Sequence, residues 1–250
     1  IAFKKLPKIV FEIPKLGTIN LHASILPKYR GAAPINWAII NGEKETGLTT
    51  FFINEKIDTG DMIKQSKIRI SINDHFQDVY DKLKKKSENL IIETIETVLY
   101  KPYILHKQLE VNNSKNKYAP KIKKQDLQLN MLNFEKKPLY ELYNFIRGMS
   151  NLGVKLKILI KQAGSNKQKS IIQNIIITQV GSYQKNTKKT KEKHIMINVE
   201  HKNQIIITNH QEKFSVKQLK TENGKQILAS DFYNGFINKK QGLSSIKIHE

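Results

Sequence analysis

Three polar side chains, Asn20, His22 and Asp58, stand out within residues 18–61 because they could carry chemistry. Asn20 and His22 alternate with Ile19 and Leu21, which is strand periodicity, so both side chains should project from one face of a strand. The floor of an active site and a solvated strand end would both give this alternation. Periodicity alone favours neither interpretation.

The chemistry that these three residue types would share is acyl transfer. An asparagine amide offers N–H donors that stabilise a developing oxyanion, and a histidine gives or takes a proton near neutral pH. An aspartate beside that histidine can hold the imidazole in one tautomer. The chain has no cysteine, and Ser24 lies in no G-x-S-x-G elbow, so a covalent nucleophile is not indicated. The set therefore suits an external amine that attacks a carbonyl directly.

Metal and phosphate chemistry are weakly indicated. His22 has no second histidine at ligand spacing, and His75 and His106 fall in a predicted helix and a predicted linker. The sequence contains no G-x-x-x-x-G-K-[ST] loop and no dinucleotide-binding glycine pattern. We therefore expect no metal.

The elements that must position the three side chains alternate between strands and helices. A loop at 23–31 and a tight loop at 57–61 connect them, and Asn73 or Asp74 is expected to cap the second helix. The predicted strands are 18–22, 46–54 and 62–71, and the predicted helices are 33–41 and 73–100. This alternation predicts an α/β layer with a mostly parallel sheet.

The second half of the sequence has a different pattern. Residues 101–137 are rich in Lys, Asn and Gln and read as a linker, after which Pro138 opens a short helix. From Val154 onward the pattern is all-β and suggests a small barrel, with a basic hairpin connection at 181–193. The predicted strands after the one that begins at Val154 are 171–178, 194–199, 203–208 and 214–219.

The length and composition of the chain limit the classes of protein to which it can belong. The chain has 250 residues, enough for one large domain or two ordinary ones, and the absence of cysteine fits a reducing compartment. We expect a soluble, cytoplasmic protein without a membrane segment. A net charge of +21 favours a nucleic-acid partner, although only Arg30, Arg69 and Arg147 are arginine and A/T-rich codons for lysine could explain much of the charge. The first residue is Ile1, inside an apolar run, which suggests a fragment or a processed chain.

Two segments, 19–35 and 57–63, resemble the methionyl-tRNA formyltransferase family. The wider formyltransferase family shares the N-x-H, S-L-L-P and D-x-G elements, and the continuation at 30–35 with the segment 41–47 resembles the tRNA-directed branch. The resemblance covers most of the chain and continues, more loosely, in the second half. The segments there are 118–122, 145–148, 224–226 and 229–232.

The resemblance implies transfer of formyl from 10-formyltetrahydrofolate to the amino group of methionine on initiator methionyl-tRNA, for translation initiation. It implies that Asn20 hydrogen-bonds the formyl oxygen, His22 stabilises or protonates the tetrahedral intermediate, and Asp58 orients His22 and assists proton removal from the amine. It also implies a substrate and folate surface formed by Ser24, Leu26, Pro27, Arg30, Gly31, Ile57, Thr59 and Gly60.

The fold that this resemblance implies is a Rossmann-like catalytic domain followed by an OB-like barrel that binds tRNA. We expect the catalytic domain at 1–103, without its first strands, a linker at 104–122 and the OB-like domain at 123–250, in a monomer. The family's Ser-Pro-x-Pro-Gly turn is replaced here by residues 149–153. Two alternatives stay open: a formyltransferase of the same core that acts on a small amine, and a non-catalytic RNA-binding remnant.

Overall fold

The computed structural model of the chain describes residues 5–108, 118–129, 134, 137–162, 170–185, 195–200, 204–221, 223–237 and 243–248. The chain forms two compact units. Unit 1 comprises residues 1–39 and 43–122, and unit 2 comprises residues 40–42 and 123–250. Among the helices of the described segments, none combines the length and the apolar character that crossing a membrane requires.

The described part of unit 1 mixes helices and strands, and two of its strands follow each other in the chain without a helix between them. The bounds of the strands and helices agree with the prediction to within a few residues. The elements are α1 (Lys8–Phe11), β1 (Ile19–His22), α2 (Pro34–Ile40), β2 (Glu45–Phe52), β3 (Met62–Arg69) and α3 (Phe76–Tyr100).

The sheet of unit 1 has the order β1-β2-β3, and both pairings are antiparallel, so the expectation of a mostly parallel sheet is wrong for the described residues. Parallel neighbours require a connection that crosses from one end of the sheet to the other. Here Ile19, the first residue of β1, pairs with Phe52, the last residue of β2, and His22 at the end of β1 pairs with Thr49. The loop and α2 between them therefore leave and return at the same end of the sheet, which reverses the strand direction.

One face of α3 closes the core of unit 1. Val79, Leu83 and Leu90 are buried, and they belong to one apolar cluster with residues of α2 and β2 such as Ile39 and Leu48. Each fully buried aliphatic side chain of this kind contributes about 1.5–3 kcal/mol of transfer free energy. The cluster anchors α2, which follows the loop at 23–31, and β2, which pairs with the strand before that loop.

The cap of α3 differs from the prediction. The helix begins after His75, whose backbone N–H donates to the Asp78 carboxylate at 2.8 Å, whereas Asn73 or Asp74 was expected at this position. The carboxylate of Asp74 instead accepts from the Ser71 backbone N–H at 2.6 Å and pairs with Lys82. Asp74 is therefore already engaged in the turn before the helix.

Unit 2 combines one amphipathic helix with an antiparallel sheet. A 3-10 helix (Lys124–Leu127) precedes the helix, and a π-helical turn (Tyr233–Ile237) follows the last short helix. The elements are α4 (Leu139–Gly148), β4 (Val154–Gln162), β5 (Ser170–Lys185), β6 (Met196–Glu200), β7 (Gln204–Thr208), β8 (Glu212–Lys220), β9 (Gln226–Leu228), α5 (Ala229–Phe232) and β10 (Leu243–Ile248).

Among the described residues of unit 2, seven strands pair in the order β5-β4-β10-β6-β7-β8-β9, and all of these pairings are antiparallel. An additional pairing joins β5 to β8, so the sheet curls and its hydrogen-bonded strands return to β5. The strand β5 continues to Lys185, so the first residues of the predicted connection at 181–193 are strand rather than loop. Residues 186–193 of that connection lie outside the described residues.

The helix α4 buries the face that the sequence predicts. Leu139, Leu142, Tyr143 and Ile146 are all buried, and Pro138 precedes the first turn. The Glu212 carboxylate accepts the Leu139 backbone N–H at 2.6 Å, which satisfies one of the free donors at the start of the helix. The same carboxylate accepts a hydrogen bond from the Tyr183 hydroxyl.

Unit 2 should lose stability in alkali because of Tyr183. Burial is the largest cause that raises the pKa of Tyr183 above its usual value, followed by the hydrogen bond to Glu212 and the negative charge of Glu212. Burial also raises the pKa of Tyr143, and the positive charge of Arg147 opposes that increase. The unfolded chain releases the phenolic proton near pH ~10 while the folded chain keeps it. The stability that protonated Tyr183 contributes to the folded chain is therefore fully present below about pH 10 and is lost as the pH rises toward and through the folded pKa.

Urea unfolding at about pH 9 and about pH 11, with the tyrosinate absorbance followed in parallel, measures this effect. The expected result is a lower free energy of unfolding at the higher pH. Tyr183→Phe should show a smaller decrease between the two pH values. An equal decrease in both proteins would assign the alkaline loss to other groups.

Candidate active site

The strand β1 places Asn20 and His22 on one face, two residues apart. Asn20 lies opposite Phe51 and His22 lies opposite Thr49 on β2, so the strand is held in register by the longer central strand. His22 is buried and Asn20 is half-buried. No hydrogen bond joins the Asn20 side chain to any residue that the structure describes. Its N–H donors are therefore available within the described part of the chain.

His22 contacts a carbonyl on one side and a carboxylate on the other. Its Nε2 lies 2.8 Å from the backbone oxygen of Tyr29, and its Nδ1 lies 3.6 Å from Oδ2 of Asp58. Because a carbonyl oxygen only accepts, Nε2 carries a proton and donates a hydrogen bond to the Tyr29 backbone oxygen. The nitrogen that can exchange a proton is therefore Nδ1, on the side of Asp58.

Asp58 lies at the turn of the tight loop, with a positive φ of 53°. This left-handed conformation is uncommon for a residue with a side chain, and Asp tolerates it better than most. The Oδ2 atom that faces His22 also accepts the backbone N–H of Gly31 at 2.9 Å. The Asp58 carboxylate therefore links the tight loop to the loop after β1.

Of the remaining predicted residues of the tight loop, Thr59 and Gly60 make contacts that shape the loop. The Thr59 hydroxyl donates to Asn54 Oδ1 at 2.9 Å, and Ile57 is exposed. A Cβ on Gly60 would lie 1.6 Å from the backbone oxygen of Phe52, so only glycine allows this approach of the loop to the end of β2. The loop is therefore packed tightly on the strand that pairs with β1.

The loop after β1 is anchored on β2 and, through the Gln65 amide that donates to the Leu26 backbone oxygen, on β3. The Ser24 hydroxyl donates to the backbone oxygen of Lys28 at 2.6 Å, which is a structural bond within the loop. The Thr49 hydroxyl donates to the backbone oxygen of Ser24 at 2.7 Å and accepts the backbone N–H of Leu26 at 3.1 Å. Leu26 is buried, and the bond between it and Pro27 is cis.

Arg30 and Gly31 contact residues from the segment that the sequence predicts to be a linker. Gly31 bridges Ala119, and a Cβ on Gly31 would lie 2.4 Å from the Ala119 backbone oxygen. The Arg30 guanidinium donates to Oε1 of Gln108 from Nε at 2.9 Å and from Nη2 at 2.6 Å. In the structure, Gln108 and Ala119 of the predicted linker thus pack within unit 1.

Sequence reasoning missed Gln108, Tyr29 and Thr49. Gln108 lies in a stretch rich in Lys and Asn without apolar periodicity, so no pattern separates it from its neighbours. Tyr29 acts on His22 through its backbone oxygen, and it also has a positive φ, of 61°. A polar Thr49 inside a buried strand was the one available signal. The described residues contain no group of three or more His, Cys, Asp or Glu side chains that could hold a metal ion.

The arrangement can stabilise an oxyanion with an amide and move a proton at an imidazole that faces a carboxylate. The family model described as formyl transferase matches residues 2–95, which contain all three of these side chains. The fold is similar to that of HypX from Aquifex aeolicus in complex with tetrahydrofolic acid, with a TM-score of 0.64 and 15% identity over 94% of this chain and 38% of that one. An N-formyltransferase from Helicobacter canadensis, in complex with folinic acid and dTDP-3-aminofucose, gives a TM-score of 0.56 and 24% identity over 79% of this chain and 65% of that one. These matches define the formyltransferase fold.

Curated relatives show to which branch of the formyltransferases the chain is most similar in sequence. A methionyl-tRNA formyltransferase from Parabacteroides distasonis is 34% identical over 94% of this chain and 69% of its own length. One from Phocaeicola vulgatus is 44% identical over 60% of this chain and 46% of its own length. This chain belongs to the methionyl-tRNA formyltransferase family. It spans about half the length of the Phocaeicola vulgatus protein and of other curated relatives that it matches, at 45–46% of their chains.

Proposed function

We propose that the chain transfers a formyl group from 10-formyltetrahydrofolate to the amino group of methionine on initiator methionyl-tRNA. The observation that carries the proposal is the contact between His22 Nδ1 and the Asp58 carboxylate. His22 lies on the same strand as Asn20, and the chain belongs to a family of formyltransferases. The folate supplies an activated formyl carbonyl when it is bound. Such a carbonyl needs a hydrogen-bond donor for its oxygen and a group that moves a proton. The Asn20 amide, which has no partner among the described residues, can be the donor, and the His22–Asp58 pair can move the proton.

Each of the three side chains has a separate role in this proposal. Asn20 donates an N–H to the formyl oxygen as it gains negative charge. The amine nitrogen forms a bond to the formyl carbon, and His22 accepts the proton of that amine at Nδ1. When the bond between the formyl carbon and the folate nitrogen breaks, His22 returns the proton to that nitrogen. Asp58 stabilises the imidazole while it is charged, and the Tyr29 carbonyl keeps the other nitrogen protonated throughout.

The loops form the proposed substrate surface. Ser24, Leu26 and Pro27 maintain the shape of the loop after β1, with Arg30 and Gly31 at its end. Ile57, Thr59 and Gly60 belong to the tight loop that we propose to face the folate, and the exposed side chain of Ile57 offers it an apolar contact.

We propose that unit 2 is an OB-like domain that binds the tRNA. Its antiparallel strands curl until β5 meets β8, and OB folds use such a surface for oligonucleotides. Lys155 and Lys157 alternate with buried residues on β4 and are exposed, as is Lys217 on β8. We further propose a cytoplasmic monomer.

A direct assay tests the function. The chain is incubated with 10-formyltetrahydrofolate and charged initiator methionyl-tRNA, and formylmethionyl-tRNA is quantified. A glycinamide substrate and an amino sugar nucleotide are offered in parallel as small amines. Formylation of the tRNA and of neither small amine supports the proposal. Formylation of a small amine would replace it with the small-amine alternative. A chain that binds tRNA but neither binds folate nor transfers formyl would be a non-catalytic RNA-binding remnant.

Binding of tRNA is expected to weaken steeply with salt, because lysines that contact phosphates release counterions. Replacing both Lys155 and Lys157 with Gln should reduce the slope of log K against log salt by roughly one unit per lost phosphate contact. Filter binding over a series of salt concentrations measures this slope. Lys84→Gln with Lys85→Gln, two exposed lysines on α3, is the control and should leave the slope unchanged. A flat salt dependence of the unchanged chain would contradict binding by charge.

A further inference from the structure

The side chain of Gln108 uses its whole hydrogen-bonding capacity at the candidate site. Its Nε2 donates to the backbone oxygens of Asp58 at 3.1 Å and Gly60 at 2.8 Å. Its Oε1 accepts both contacts from the Arg30 guanidinium. A primary amide has two N–H donors and two lone pairs, so all four are engaged. Gln108 is also buried, so water does not replace these bonds freely.

These bonds join the two loops that form the site. On one side they hold the backbone of the tight loop at the residue that faces His22 and at the glycine packed on Phe52. On the other side they hold Arg30, whose neighbour Gly31 donates its backbone N–H to the Asp58 carboxylate. Gln108 and the Asp58 carboxylate therefore form two parallel links between the same loops.

We propose that Gln108 is a positioning residue that holds the Asp58 loop against Arg30 and so sets the place of the Asp58 carboxylate beside His22. It acts through the Asp58 backbone and not on the reacting atoms. Asp58 has a left-handed backbone, which the surrounding bonds must maintain because few side chains favour it. The catalytic consequence of this role rests on the proposed function, whereas its effect on the loop does not.

Two variants separate the donor and acceptor functions of Gln108. Gln108→Met keeps a similar length and removes all four bonds. Gln108→Glu keeps the oxygen that Arg30 contacts and removes the N–H groups that hold the Asp58 and Gly60 carbonyls. If Gln108 served only to hold Arg30, the Glu variant would behave like the parent chain. Gln77→Met is the control, because its amide donates to Asp81 on the exposed face of α3.

Kinetics give the first measurement. Both Gln108 variants are expected to lower kcat by about 100-fold with little change in KM, because a carboxylate displaced by about 1 Å fails in the chemical step rather than in binding. Gln77→Met should retain the parent kcat. Parent-like kcat in the Glu variant would overturn the proposed role.

Hydrogen exchange of the Gly31 amide gives a second measurement that needs no activity. This N–H donates to the Asp58 carboxylate, so its exchange rate reports whether the carboxylate is in place. We expect exchange about 10-fold faster in both Gln108 variants and unchanged in Gln77→Met. Unchanged Gly31 exchange would overturn the inference. Faster exchange in a chain whose parent does not formylate tRNA would support it and reject the proposed function instead.

Discussion

Alanine at His22 is expected to lower kcat for formyl transfer by about 10²–10⁴-fold, the usual cost of losing a general acid–base group. Asp58→Ala should have a similar effect, and Asn20→Ala should cost about 10²–10³-fold through the lost oxyanion donor. The rates are measured with both substrates saturating, so that changes in affinity do not contribute. All three variants should keep the fold, because β1 remains paired to β2 through its backbone.

A matched control uses the exposed His106, whose backbone bridges Met62. His106→Ala removes an imidazole from the same unit and should leave kcat unchanged. The double variant of His22 and Asp58 should be no slower than about the worse single variant, since the two side chains act as a unit. Near-parent turnover by any of the three single variants would reject its assigned role.

Alanine at Gly60 should destabilise unit 1 and disable the site together. The new Cβ would lie 1.6 Å from the Phe52 backbone oxygen and 2.8 Å from its carbonyl carbon, and these backbone atoms cannot move aside as the end of a flexible side chain can. Relief requires the tight loop to lift from β2, which also breaks the bond from Gln108 to the Gly60 carbonyl. We expect a loss of about 3 kcal/mol in the free energy of unfolding, at the upper end of overpacking costs. Urea unfolding measures the loss, and the formylation assay should show a fall in kcat.

Gly235→Ala provides the comparison for Gly60→Ala. A Cβ on Gly235 meets nothing within 4 Å and the residue is exposed, so this change should alter the free energy of unfolding by no more than about 0.5 kcal/mol. Equal stability of the Gly60 and Gly235 variants would show that the tight loop can move off β2 without cost. The link between loop packing and the position of Asp58 would then be wrong.

Local patterns allowed several elements of the fold to be predicted. The alternation of Asn20 and His22 with apolar residues predicted β1, and helical spacing predicted the buried face of α4, because side-chain periodicity is dictated by the backbone of one element at a time. The strand direction was not predictable in this way. Alternating strands and helices suggested parallel pairing, but the connection through α2 returns to the end of the sheet where it began.

The candidate site shows the same division. The sequence by itself determined the residue types, the strand that holds Asn20 and His22, and the family resemblance of the two segments around them. The resemblance implied that Asp58 orients His22, but only the tertiary structure gave the 3.6 Å contact between them, fixed the imidazole through the Tyr29 carbonyl and placed Gln108 between Arg30 and the tight loop. These contacts join residues far apart in the chain or use backbone atoms, which every residue possesses. No local pattern records them, because they depend on how the loops pack once the sheet has formed.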